Sequence, residues 1–125
     1  MLQNILLVAL GSALGGTLRY LTSLPPFLKS NNEVQFIPTL VVNSLGSFLI
    51  GIGFVLFLKE NPSPKTSLFL LTGILGGFTT FSGFSLELYR LIENGQTPMA
   101  LSYLLGSVLL GIAFAAFGII VASKF

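Results

Sequence analysis

Residues 76–85 read GGFTTFSGFS, from Gly76 to Ser85, with three glycines, two threonines, two serines and three phenylalanines. They sit inside an otherwise apolar run of the chain. Gly73, Gly76 and Gly77, followed by Thr79-Thr80, weaken a helix, because glycine gains backbone freedom and β-branched threonine loses rotamers there. Within a bilayer, irregular backbone is tolerated only where it is buried in protein or lines a cavity. The stretch therefore chooses between two helical folds. One has a helix broken near the midplane, and the other an unbroken helix crossing a neighbour tightly at its glycines. A break would free carbonyl oxygens, which suit a hard cation.

The rest of the chain places that helix in a membrane. Of 125 residues, 53% are hydrophobic and only 8% charged, and mean hydropathy is +0.91. Soluble domains carry about 25% charged residues, so this chain has too few to cover a water-facing surface. It reads as an all-α integral membrane protein forming one domain over residues 1–125. There is no cysteine and no histidine. That excludes disulfides, thiol chemistry, His-ligated metals and His-based acid–base catalysis. Six basic and four acidic residues are scattered, which gives no footprint for nucleic acid. Met1–Leu24 lacks a basic leader and a clear small-residue cleavage site, so it reads as a retained span.

A hydrocarbon core of about 30 Å needs roughly 20 apolar helical residues. Four segments qualify: about Leu2–Leu24, Phe36–Leu58, Ser67–Ile92 and Met99–Ala122. Pro25-Pro26 stops the first, Pro38 opens the second, and the short turns NPSPK and NGQTP precede the third and fourth. Four spans put both termini on one side with the Lys59–Lys65 loop. Lys59, Lys65 and Lys124 then face Arg19, Lys29 and Arg90 on the other side, so the positive-inside rule has little to act on. Insertion both ways round, giving an antiparallel dual-topology homodimer, is one reading; orientation set by one or two lysines is the other. Small residues four apart (Gly11 and Gly15, Ser47 and Gly51, Ser107 and Gly111) permit close helix contact, within the chain or between copies.

Counting 1.5 Å per residue places polar groups by depth. On the side away from the termini, Asn43 lies roughly 10 Å deep, Phe81 and Phe84 roughly 16 and 12 Å, Tyr103 and Ser107 roughly 6 and 12 Å. Thr39, Asn43 and Ser47 form an i, i+4, i+8 polar stripe. Each has an ordinary reading too: hydroxyls bonded to their own helix, an asparagine gluing helices, phenylalanines facing lipid or core. Arg19 and Glu87 lie toward the same side. A structural pair, Arg19 with Glu87 or Glu87 with Arg90 at i+3, is the favoured reading. Alternatively Arg19 snorkels and concentrates anions at a pore mouth.

The motifs GSALGGTLRY, PTLVVNSLGSFLIG and GILGGFTTFSGFSLE together resemble the Fluc family of bacterial fluoride channels, across all four spans. The resemblance implies an antiparallel dual-topology homodimer in the bacterial cytoplasmic (inner) membrane. It implies two fluoride pores, passive export down the electrochemical gradient, and a central structural Na+. It implies backbone carbonyl ligands for that ion at Gly76 and Thr79, on a broken third helix. It further implies a pore asparagine at Asn43, pore phenylalanines at Phe81 and Phe84, and hydroxyls at Ser82, Tyr103 and Ser107, to which the polar stripe adds Thr39. Three positions depart from the pattern: Gly83 replaces a threonine, Pro38 opens the second span, and Gly111 interrupts the fourth-span hydroxyls. Fluoride is strongly hydrated, so a dry pore must return donors: an amide, hydroxyls and the electropositive ring edges of phenylalanine.

A four-span multidrug or cation exporter is a rival, but the first span has no acidic residue and the chain no tryptophan. A non-transporting scaffold subunit would explain the small-residue stripes but not donors gathered at one depth. No acid, base or nucleophile arrangement suggests an enzyme.

Overall fold

The computed structural model describes residues 1–25, 34–60 and 62–124. Among them are four helical spans long and apolar enough to cross a membrane: Leu2–Thr22, Ile37–Glu60, Pro64–Glu93 and Thr97–Ala122. The chain is thus an all-helical, multi-pass membrane protein. The first span is one helix, α1 (Leu2–Thr22). The second is α2 (Ile37–Phe54) continued by a π-helical stretch, Val55–Glu60. The third is composite: α3 (Pro64–Ser67), a π-helical stretch Leu68–Leu75, α4 (Gly76–Phe78) and α5 (Phe81–Glu93). The fourth is α6 (Thr97–Ala122). Lys29, one of the six charges used in the balance above, lies outside the described residues.

The span ends differ from the sequence expectation by a few residues, for identifiable reasons. Pro64 and Pro98 sit inside the first helical turn rather than in the preceding loop, where a missing N–H costs nothing. The second span runs on to Glu60 because its last turns widen into π geometry instead of stopping at Leu58. At the end of α5, Gly95 takes φ +73°. Its amide bonds the Ile92 carbonyl at 3.0 Å and the Gln96 amide bonds Leu91 at 2.8 Å, which is a Schellman stop.

The spans pack as two pairs. α1 lies along Leu68–Leu75 and α4, and α2 lies along α6. Glycines make both approaches possible. A Cβ on Gly15 would strike the backbone carbonyl of Ile74, and one on Gly118 the carbonyl of Phe48. Gly11 and Gly51 are likewise closed against Phe69 and Ala115. The stripes anticipated from their spacing therefore serve contacts within the chain at Gly11, Gly15 and Gly51. At the end of the molecule opposite the termini, α5 folds onto α6. Phe84, Leu91, Ala100 and Tyr103 pack there with Val34, flanked by Phe36, Leu40 and Leu88. Elsewhere the spans keep apolar side chains outward: only 11% of the first span's window and 6% of the fourth's is buried. Lipid tails are as apolar as leucine, so such faces need no protein cover.

Candidate functional site

The site is built around the interruption of the third span. Helix α4 ends at Phe78, Thr79 turns to φ −79°, ψ 159°, and Thr80 to φ −148°, ψ 124°. Helix α5 restarts at Phe81. Two backbone amides are redirected at this point. The Thr80 N–H, which would bond the Gly76 carbonyl in a continuous helix, donates to Asn43 Oδ1 at 2.8 Å. The Gly83 N–H, which would bond the Thr79 carbonyl, donates to Thr80 Oγ1 at 3.0 Å. That makes Thr80 the N-cap of α5. Gly76 and Thr79 are thereby left without their i→i+4 partners.

Asn43 behaves here as a side-chain peptide. Its Nδ2 donates to the Thr80 carbonyl at 3.0 Å while its Oδ1 accepts from the Thr80 amide. The pair of bonds also fixes which end of the amide is oxygen, since a backbone N–H requires an acceptor. The Thr79 hydroxyl bonds back to Leu75 at 3.0 Å. The Thr79 carbonyl, turned out of the helix, accepts from Arg19 Nη1 at 3.4 Å. A cavity of about 340 Å³ adjoins this region, lined among others by Asn43, Ser47, Gly76, Thr79, Thr80 and Phe81.

About two turns beyond Thr80 along α5, Glu87 gathers two hydroxyls. Thr39 Oγ1 donates to its Oε1 at 2.6 Å and Tyr103 OH to its Oε2 at 2.7 Å. The ion pairs weighed for Glu87, with Arg19 or with Arg90, are not formed among the described residues. The reason is geometric: Glu87 points to the interface of α2, α5 and α6, whereas Arg19 is committed to Thr79. Against this carboxylate and its two hydroxyls stand the rings. Phe84 meets Tyr103 edge-on, with centroids 5.1 Å apart at 69°. Phe36 lies 4.8 Å from Tyr103, and Phe81 lies 5.8 Å from Phe84.

The two phenylalanines share a face of α5 yet are unequal. Phe84 is 6% exposed and Phe81 79%. Thr39, Asn43 and Ser47 do lie along one stripe of α2, but with three different partners: Glu87, the Thr80 backbone, and for Ser47 the Asn43 carbonyl of its own helix at 2.7 Å. Ser82 Oγ lies 3.3 Å from Thr80 Oγ1. Ser107 Oγ is buried with no hydrogen-bond partner among the described residues. It faces a cavity of about 180 Å³ shared with Phe36, Leu40 and Tyr103. A Cβ at position 83 would come within 3.1 and 3.2 Å of the Thr80 side chain, so glycine there fits the capping rotamer of Thr80. Nothing in the structure calls for glycine at 111, where a Cβ would make only an ordinary 3.6 Å contact with Ser47.

Two participants were missed from the sequence: Thr80 and Phe36. Thr80 was legible in principle, as a threonine immediately before an amphipathic helix. Phe36 carried no signal, since it ranks as one apolar residue at a span's start.

Comparison with known proteins covers nearly the whole chain. Residues 6–119 match the family described as CrcB-like protein, Camphor Resistance (CrcB). A Rhizobium meliloti protein named Fluoride-specific ion channel FluC is 45% identical over 108 residues, 86% of each chain. A relative of the same name from Thermus thermophilus is 45% identical over 117 residues, 93% of this chain and 91% of its own. Another, from Flavobacterium psychrophilum, is 40% identical and covers 98% and 99%. With the match running through all four spans, the chain belongs to the CrcB-like family.

Proposed function

We propose that this chain forms a fluoride-selective channel which lets the ion leave the cell passively through the cytoplasmic membrane. The observation that carries the reading is its likeness, over nearly its full length, to relatives named Fluoride-specific ion channel FluC. The working unit is an antiparallel homodimer with two pores. In each, fluoride passes the edges of Phe81 and Phe84 in the layer of Asn43, Ser82, Tyr103 and Ser107, with Thr39 beside them. Ring edges are electropositive and hold an anion loosely, as conduction requires. Ser107 supports this assignment because its hydroxyl has no hydrogen-bond partner among the described residues. Asn43 has one Nδ2 hydrogen left after bonding Thr80, since an amide nitrogen carries two. Arg19 and Glu87 supply local charge, with Glu87 holding the Thr39 and Tyr103 hydroxyls in place.

The implied structural Na+ fits the donor set. Gly76 and Thr79 have lost their helical partners to the redirected amides, and carbonyl oxygens are hard ligands for a hard cation. These two residues, from both copies, would hold the ion, and the ion would tie the two interruptions together. Among the described residues no cluster of acidic side chains offers a competing metal site.

Protein reconstituted in liposomes loaded with potassium fluoride should release fluoride when valinomycin carries the compensating potassium, and chloride far more slowly. Equal chloride and fluoride release removes the selectivity, and with it the proposed function.

A further inference from the structure

Arg19 reaches the interruption from the first span. Gly15 lets α1 touch the Ile74 and Phe78 backbone, and one helical turn beyond it Arg19 arrives beside Thr79. Its guanidinium donates to the Thr79 carbonyl at 3.4 Å and is partly buried. That carbonyl faces outward because Thr79 is extended, and its usual donor, the Gly83 amide, is occupied by the Thr80 hydroxyl. A carbonyl oxygen has two lone pairs. One can serve the guanidinium and the other a metal ion, but the two positive charges then stand a few ångströms apart in a medium of low dielectric, where like charges repel strongly.

We infer that Arg19 is an antagonist built into the cation site, its guanidinium holding the Thr79 carbonyl in competition with a monovalent cation. This rests on the reading of Gly76 and Thr79 as cation ligands. Arg19 is then a positioning residue with two consequences. It keeps the Thr79 peptide turned outward before any cation binds, and it weakens the cation once bound. A hydrogen-bond donor without charge would keep part of the first effect and lose the second.

The test is the sodium dependence of thermal unfolding of the purified dimer. Sodium replaces N-methylglucamine at constant ionic strength, so general screening does not change. In wild type, Tm rises with sodium to a plateau. In Arg19→Gln the half-saturating sodium concentration falls by about tenfold or more, while Arg19→Lys, which keeps the charge, stays within about threefold of wild type. Should Arg19→Gln not fold, Arg19→Met keeps the stem's packing and is judged by the same shift. A lower Tm at every sodium concentration with an unmoved midpoint reduces Arg19 to ordinary packing and overturns the inference. So does a midpoint that rises, which would make the guanidinium a helper of the cation. If neither wild type nor variant responds to sodium, the cation reading of Gly76 and Thr79 fails, and this inference fails with it.

Discussion

Asn43 shows how much one amide does at the residue scale. It gives the Thr80 N–H the acceptor that the preceding helical turn no longer supplies, and adds a second donor to the Thr80 carbonyl. Buried polar groups without partners cost about 1–3 kcal/mol each, so the interruption is tolerable only with such a partner. In Asn43→Asp the donor to the Thr80 carbonyl is lost and a carboxylate replaces it. Stability should drop by about 1–3 kcal/mol in thermal unfolding, and fluoride efflux from liposomes should fall at least tenfold while the dimer still elutes intact. Undiminished efflux would take Asn43 out of the pore. The sequence had already singled out this residue, because an asparagine in an apolar span demands partners. It did not name the partner, which is 37 residues away. Glu87 was marked in the same way. Its partners proved to be the Thr39 and Tyr103 hydroxyls, not an arginine.

At the scale of the element, the third span joins two different kinds of helix. Its first half is wide, with a π-helical stretch pressed onto α1 through glycines. Its second half, α5, is a well-capped α-helix with Thr80 at its start and Gly95 past its end. The contact with α1 sets where the interruption falls relative to Arg19. Gly15 and Gly16 separate this packing role from glycine's intrinsic helix cost. A Cβ on Gly15 meets the Ile74 backbone, whereas one on Gly16 meets nothing. Gly15→Ala should therefore destabilise by about 1–3 kcal/mol, the usual cost of overpacking. Gly16→Ala should be neutral or slightly stabilising, since alanine is the better helix former. Equal Tm values for the two variants would show that α1 can slide away from the third span at no cost. The spacing of Gly11 and Gly15 announced a close contact in the sequence, but not whether its partner was the same chain.

On the scale of the whole molecule, the chain presents apolar faces on all its spans, and the span order read from the sequence puts three basic residues on each side. The proposed dual-topology dimer makes a specific demand on that balance. Two extra lysines in the Lys59–Lys65 loop should bias every copy to one orientation, because basic residues near span ends govern insertion. Such a chain expressed alone should lose fluoride efflux. Efflux should return when it is co-expressed with a chain carrying the extra lysines at the opposite end. Full activity of the biased chain alone would exclude an antiparallel working unit.

Class, span number and the location of the unusual stretch are local properties, legible in the residues alone. The length of an apolar run is compared directly with the bilayer, and the scarcity of charge leaves no soluble alternative. Which polar group answers which was decided only by the tertiary structure. Thr39 to Glu87, Asn43 to Thr80 and Arg19 to Thr79 span 48, 37 and 60 residues. The Arg19 pairing depends on how closely α1 approaches the third span at Gly15, and the Asn43 pairing on how closely α2 approaches Thr79 at Gly46. The same is true of GGFTTFSGFS. Its glycines and hydroxyls signalled a weak helix. Only Asn43, reaching across from α2 to take the Thr80 amide, turned that weakness into an interruption between Phe78 and Phe81, because a backbone group leaves a helix in a membrane only when another partner is in place.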